Sequence, residues 1–371
     1  MTKDQGIVLP RRTFLTAVGT GVAAVTVGCA DGTDNGAPAN MDLPGRQTGV
    51  ISPPPLSTHL IAMDLLGTDP REAFTELHSL FSDTSQVELT ISVGASMFDE
   101  RFGLADRKPA GLTVMPQFPG DVLDTAQCHG DLLIQISADD RHDIDAVSDQ
   151  LAQSPDLVTR WQITGFRDNP SETPHGVPTS RNQFGFTEGI GNPDPGNTAL
   201  MDELVWAKTA DIPEWATGGT YLVVRLIRFA MELWDTDTTA EQERVFGRHK
   251  DSGAPLGLDE AEVDPQYDTD PHGERIALDA HIRRARPRTD ETEPHQILRR
   301  GYSYDHGVDD SGHQDAGMVF IAYQNDVRLG FETIQHRLRG EALEKYVLTF
   351  GGGYYYTLPA ASRSPWDELF R

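Results

Sequence analysis

His59-Leu60-Ile61-Ala62-Met63-Asp64-Leu65-Leu66 is an apolar run of strand length, and the segments that flank it decide the fold. Residues 71–81 follow with apolar side chains at helical spacing, and residues 87–93 alternate as a strand does. The order then recurs. Residues 131–136 read as a strand, 144–153 as an amphipathic helix and 157–164 as a strand. Two β-α-β passages in succession predict a ferredoxin-like α+β unit. Residues 166–183, dense in Pro, Ser, Thr and Asn, read as loop.

The second half repeats the theme. Residues 220–229 are a β-rich run, 231–246 have helical spacing, and 318–324 are a strongly apolar strand. Residues 330–339 and 341–347 read as helices. Residues 351–358 carry three glycines and then Tyr354, Tyr355 and Tyr356, which read as a strand facing two ways. Between these elements, 251–279 is acidic, holds several Pro and Gly, and reads as a surface loop. The expected organisation is an N-terminal half over 47–200 and a C-terminal half over 201–371.

Composition limits the function. The chain has 371 residues, 31 Lys plus Arg against 57 Asp plus Glu, and a formal net charge of −26. Such a surface repels phosphate backbones and argues against a nucleic-acid binder. It argues equally against electrostatic docking on anionic lipid. Two cysteines exclude a disulfide scaffold and a Cys-rich zinc protein. Lysine occurs only at Lys3, Lys108, Lys208, Lys250 and Lys345, all other cationic side chains being arginine. A salt-loving source and an Arg-favouring genome both account for this.

Residues 1–46 read as an address and a tether. Arg11-Arg12-Thr13-Phe14-Leu15 is a twin-arginine export signature, followed by a soft apolar run over 17–28. That run falls short of the ~20 residues of a membrane span. Thr26-Val27-Gly28-Cys29 resembles a lipobox, with Thr26 where Leu is usual. Residues 1–28 are therefore expected to be a signal peptide. Either Cys29 is lipidated and anchors the chain outside the membrane, or the protein is secreted, to the periplasm or beyond. Residues 29–46 have the composition of a flexible tether.

Most familiar catalytic marks are missing. None of the twelve histidines sits in His-Glu-x-x-His or in Cys-x-x-Cys-His, and no P-loop, dinucleotide fingerprint or Gly-x-Ser-x-Gly elbow occurs. Two segments stand out. Gly185-Phe186-Thr187-Glu188-Gly189-Ile190-Gly191-Asn192-Pro193 sets one carboxylate among glycines, a bare loop able to approach a ligand. The stretch His281–Arg300 holds Arg283, Arg284, Arg286, Arg288, Arg299 and Arg300, a positive patch in an acidic protein. It suits an anionic ligand or, more plainly, a salt-bridged face with Asp290, Glu291 and Glu293.

Taken in order, several stretches resemble the dye-decolourising peroxidase family, in particular its exported deferrochelatase/peroxidase branch. They are Phe98-Asp99-Glu100-Arg101-Phe102-Gly103-Leu104, Gly130-Asp131-Leu132-Leu133-Ile134-Gln135, Gly218-Gly219-Thr220-Tyr221 and Ser252-Gly253-Ala254-Pro255-Leu256-Gly257. His281-Ile282-Arg283-Arg284, Arg299-Arg300-Gly301-Tyr302-Ser303-Tyr304, Phe320-Ile321-Ala322-Tyr323-Gln324 and Gly351-Gly352-Gly353-Tyr354 complete the set. The resemblance runs from about Gly49 to Pro359.

The resemblance implies two ferredoxin-like halves of the dimeric α+β barrel type, with one non-covalent haem b per chain held mainly by the C-terminal half. It implies His281 as axial iron ligand and Arg299, in preference to Arg300, as the distal arginine. It also implies haem contacts from Gly189-Ile190-Gly191 and Arg286-Pro287-Arg288, where the family more often has Asn first. The family's distal Asp is Glu188 here, one methylene longer. In that reading Glu188 shuttles a proton between the oxygens of hydrogen peroxide, Arg299 stabilises the departing oxygen, and small-molecule donors supply electrons. Trp161, Trp206, Trp215, Trp234 and Tyr302 are relay candidates that read equally as core. The rival readings are iron release from haem and a haem-binding lipoprotein with little turnover. The family relation leaves room for a homo-oligomer.

Overall fold

The computed structural model describes residues 45–83, 86–172, 178–208, 212–360 and 365–371. The twin-arginine segment, the lipobox with Cys29, and the tether up to residue 44 lie outside the described residues. The described residues form one compact unit.

The N-terminal half runs β1 (Ser57–Leu65), α1 (Arg71–Asp83), β2 (Glu88–Gly94), β3 (Leu132–Ala138), α2 (Arg141–Leu151) and β4 (Leu157–Phe166). Its strands lie in the order β2-β3-β1-β4, all antiparallel. The run that opened the sequence alternates faces as strand geometry demands. Ile61, Met63 and Leu65 point outward to α1 and α2, while Leu60 and Ala62 point inward. Helix α1 answers with Phe74, Leu77 and Leu80, and α2 with Ile144, Val147 and Leu151. Asp140 caps α2 by accepting the His142 N–H at 2.9 Å. Fully burying each such side chain contributes ~1.5–3 kcal/mol.

A small hairpin follows, β5 (Asp168–Glu172) and β6 (Pro178–Arg181), within the stretch read as loop. Strand pairing there is short and bulged, so it leaves little periodic signal. Helix α3 (Thr198–Leu204) comes next, and the expected division at 200/201 falls inside it. The helix is continuous because Asn197 caps it and Met201 and Leu204 pack into the core.

The C-terminal half comprises β7 (Thr220–Phe229), α4 (Met231–Trp234), α5 (Thr239–Phe246), α6 (His281–Ala285), β8 (Leu298–Arg299), β9 (Tyr302–Val308), β10 (Gln314–Gln324), α7 (Thr333–Leu338) and β11 (Val347–Thr357). Its long strands lie in the order β9-β10-β7-β11, the same arrangement as the first half. The halves join at β2–β11 and, by one residue pair, at β4–β9. The result is a closed eight-stranded antiparallel barrel, with β8 alongside the end of β10. Trp161, Leu222, Val224, Tyr302, Tyr304, Tyr323 and Tyr355 fill its interior, while Tyr354 and Tyr356 face outward. Gly352 lets β11 pass close to β7, since a Cβ there would meet the Val224 carbonyl oxygen at 2.1 Å.

Three expectations are corrected. The helix expected over 231–246 breaks in two because Thr238 and Glu241 form a capping box that starts α5 afresh. The helix expected over 341–347 is a single 3₁₀ turn, Glu344–Tyr346, and Val347 already opens β11. The tether ends sooner than 46: Gly45 accepts the Ala360 N–H, and Arg46 pairs with Asp202. The five relay candidates are all buried core residues. Cys128 is buried and free, and no described helix is long and apolar enough to cross a membrane.

Candidate active site

The outer face of the C-terminal half carries a cleft enclosing about 1850 Å³ of empty space, open solvent at its mouth included. Ile227, Phe229, Met318 and Phe320 of β7 and β10 form an apolar floor, and Phe246, Ile334 and Leu338 form walls. Glu188, Ile190, Gly191, His281, Arg286, Arg288 and Arg299 all line it. Gly189 and Pro287 do not; they shape the backbone that carries their neighbours.

Helix α6 opens at His281 and stops because Pro287 restricts the residue before it. Arg286 is extended and Arg288 is left-handed, with φ of 62°, so the chain turns sharply into the cleft. The His281 ring is fixed from behind: Nδ1 lies 2.6 Å from Glu341 Oε2, a carboxylate 7% exposed. A carboxylate accepts there, so Nδ1 carries the proton and Nε2 is the nitrogen without a protein partner among the described residues. Burial works against the charged imidazole, but Glu341, by charge and by hydrogen bond, outweighs it and raises the His281 pKa.

Across the cleft, Gly189 and Gly191 adopt φ of 80° and 77°, which lets the loop double back on itself. Several hydrogen bonds tie the loop down. Asn182 Nδ2 donates to Glu188 Oε1 at 2.7 Å. The Gly191 N–H donates to Glu262 Oε2 at 3.1 Å. Asn192 exchanges hydrogen bonds with the Arg299 backbone, at 2.8 and 3.2 Å.

Strand alternation separates the two adjacent arginines. Leu298 points into the barrel, Arg299 into the cleft, and Arg300 back into the barrel, where it pairs with Ser52 and Glu88. Arg299 Nη2 donates to the Ile190 carbonyl at 2.8 Å. Burial lowers its pKa, and Glu188 and Glu262 oppose that shift. The other arginines of the patch have separate tasks. Arg283 holds Asp270, Arg284 caps the carbonyls of Arg337 and Arg339, and Arg286 pairs with Glu293.

Several cleft residues have no signal in the sequence. Glu341 stands 60 residues from His281. Arg225 is buried in the floor against Asp121 and donates to Thr349 Oγ1 at 2.9 Å. Arg248, whose pKa burial lowers to about 10, donates to the carbonyls of Gly253 and Ala261. The acidic stretch 251–279 is part of the wall as well as surface, since Pro265 and Tyr267 line the cleft. Only the spatial neighbourhood reveals these roles.

A ferredoxin-like barrel whose outer cleft is lined by a carboxylate-backed imidazole, His281, together with Glu188 and Arg299 has the makings of a peroxidase. The Dyp-type peroxidase N-terminal family matches residues 70–167 and the C-terminal family residues 179–362, and the chain belongs to the Dyp-type peroxidases. It is an enzyme, an oxidoreductase acting on peroxide. The chain is 42% identical over 349 residues to the deferrochelatase of Escherichia coli (strain K12), covering 85% of this chain and 82% of that one. It is 40% identical over 351 residues to the deferrochelatase of Yersinia pestis bv. Antiqua (strain Nepal516), covering 85% and 81%. Among solved structures, ferric DtpA from Streptomyces lividans matches with a TM-score of 0.78 and 30% identity, over 88% of this chain and 95% of that one. The DyP-type peroxidase from Cellulomonas bogoriensis matches with a TM-score of 0.76 and 30% identity, over 89% and 97%.

Proposed function

We propose that the cleft holds haem b, one per chain and non-covalently, and that the enzyme uses it to reduce hydrogen peroxide while oxidising dyes or other one-electron donors. The observation that carries this reading is the convergence of His281, Glu188 and Arg299 on one apolar cleft. The residues present suit the group. His281 Nε2 would bind the iron, the floor and walls are apolar, and Arg286 and Arg288 would face the propionates. Ile190 and Gly191 line the cleft from the loop that carries Glu188. Solved relatives include ferric and oxyferrous DtpA from Streptomyces lividans, in keeping with an iron cofactor in those proteins.

Haem, when bound, supplies the redox chemistry. The chain's own residues do the rest. Glu341 accepts the Nδ1 proton, fixes the ring and makes Nε2 a stronger donor. Glu188 accepts a proton from peroxide and returns it to the leaving oxygen. Arg299 faces the negative charge that develops on that oxygen. The second reading, iron release from haem, is favoured by the deferrochelatase relatives; a haem-binding lipoprotein with little turnover is the third. We also propose export by the twin-arginine route, with Cys29 as an optional lipid anchor, and leave self-association to solution measurement.

The test is an absorption spectrum of the haem-reconstituted protein before and after one equivalent of peroxide, in wild type and in Glu188→Gln. A Soret band that responds quickly in wild type, and ~10²–10⁴-fold more slowly in the variant, is the expected result. A band that peroxide leaves unmoved supports iron release or storage instead. No Soret band at all removes the cofactor.

A further inference from the structure

Glu188 is longer by one methylene than the family's aspartate, so something must decide where its carboxyl sits. Asn182 is the group in contact. It follows β6, is 9% exposed, and lines the cleft. Every polar atom it owns is engaged. Its N–H donates to the Phe186 carbonyl at 2.9 Å, and its carbonyl accepts the Gly185 N–H at 2.8 Å. Its side-chain Oδ1 accepts the Phe186 N–H at 3.1 Å, and Nδ2 donates to Glu188 Oε1 at 2.7 Å.

These bonds define the amide's orientation. A backbone N–H can only donate, so the atom facing Phe186 must be oxygen. Nδ2 therefore faces Glu188, and Oε1 must accept. Any proton that Glu188 carries then sits on Oε2, which has no protein partner among the described residues. The main chain is held too, since the Glu188 N–H donates to the Ser180 carbonyl at 2.9 Å.

We propose that Asn182 is a positioning residue for peroxide activation: it draws the longer acid back against the 182–186 turn, keeps Oε1 as an acceptor and leaves Oε2 as the oxygen that moves the proton. This rests on the peroxidase reading. Arg299 on β8, Arg167 beyond β4 and His281 on α6, whose charges interact with Glu188, all remain in an Asn182 variant.

The experiment is an infrared spectrum of the Glu188 carboxylate stretch in the full chain at fixed pH, assigned by its loss in Glu188→Gln, with the rate of peroxide consumption measured in parallel. Asn182→Ala removes the donor. Asn182→Asp keeps the shape and the Phe186 bond but turns the donor into an acceptor. In Asn182→Ala the band is expected to shift because Oε1 loses its hydrogen bond, and in Asn182→Asp further, with peroxide consumption slowed by up to ~10²-fold in each. Thermal melting identifies folded variants, and either one decides. An unchanged Glu188 band in a folded variant overturns the proposal. A shifted band in a protein that consumes no peroxide supports Asn182 as the tether of Glu188 and overturns the peroxidase reading instead.

Discussion

The two outer faces of the barrel share a strand order and end differently. On the N-terminal face, α1 with 13 residues and α2 with 11 lie on the sheet and seal it with Phe74, Leu77, Leu80, Ile144 and Val147. On the C-terminal face the comparable helical segment, a π-turn over Arg328–Glu332 that runs straight into α7, lines a cleft with Phe331, Ile334 and Leu338 instead of sealing the sheet. Helix α5 stops at Gly247 in the left-handed conformation, α6 at Arg286-Pro287, and the 328–338 segment before left-handed Gly340. These helices leave a cleft over the sheet, and its rim can carry charged groups that a sealed core would exclude. The same topology thus makes a structural layer on one side and a reaction chamber on the other.

The sharpest way to break this comparison is to shorten one apolar side chain on each face. Leu77→Ala opens a cavity in a sealed layer and should cost ~2–5 kcal/mol in urea unfolding. Ile334→Ala, half-buried on the cleft wall, should cost less than ~1 kcal/mol. Equal losses would mean that the cleft wall is packed as tightly as the sealed face.

A smaller effect is expected behind the His281 imidazole. Glu341→Gln keeps the size but removes the charge that holds Nδ1–H. Haem should then leave ~10–100-fold faster into a scavenging apoprotein, with little change in urea stability. An unaltered loss rate would demote Glu341 to a packing residue.

The smallest effect is in the cleft wall. Asp270 accepts the backbone N–H groups of Ile276, Arg275 and Glu274, the Ile276 bond counting most, and its pKa is lowered to about 2 from 3.8. A carboxylate depressed on folding contributes stability above its unfolded pKa and loses it as pH falls through the folded one. The thermal midpoint of wild type should therefore drop between about pH 4 and 2 by more than that of Asp270→Asn. Parallel curves for the two proteins would remove Asp270 from the acid response.

The strands were largely legible because a half-buried strand repeats every two residues. The run expected over 220–229 coincides with β7, and Tyr354, Tyr355 and Tyr356 do face two ways. Helix limits were less legible, since 231–246 keeps its apolar spacing across a cap that divides it. At the site, the roles of His281, Glu188 and Arg299 came from the resemblance to the peroxidase family, residue by residue. Glu341, Glu262 and Asp121 did not, because their partners stand 60, 71 and 104 residues away and nothing local marks them. Asn182 lies only six residues from Glu188, but its role depends on a turn that brings Oδ1 to the Phe186 N–H.

By itself the sequence determined the α+β class, the β-α-β order of its first half, the acidic surface, and the residue types available for acid, cation and imidazole. Those follow from periodicity and composition, which are local properties of the chain. Tertiary structure decided the rest. Closure of two sheets into one barrel set which of Arg299 and Arg300 faces the cleft, because neighbouring strand residues point to opposite sides. Where the C-terminal helices pack decided that a cleft exists at all, since Phe331, Ile334 and Leu338 line it rather than seal the sheet. Which carboxylate backs His281 and which amide holds Glu188 were settled only when distant segments packed, since a hydrogen bond needs its partners within about 3 Å.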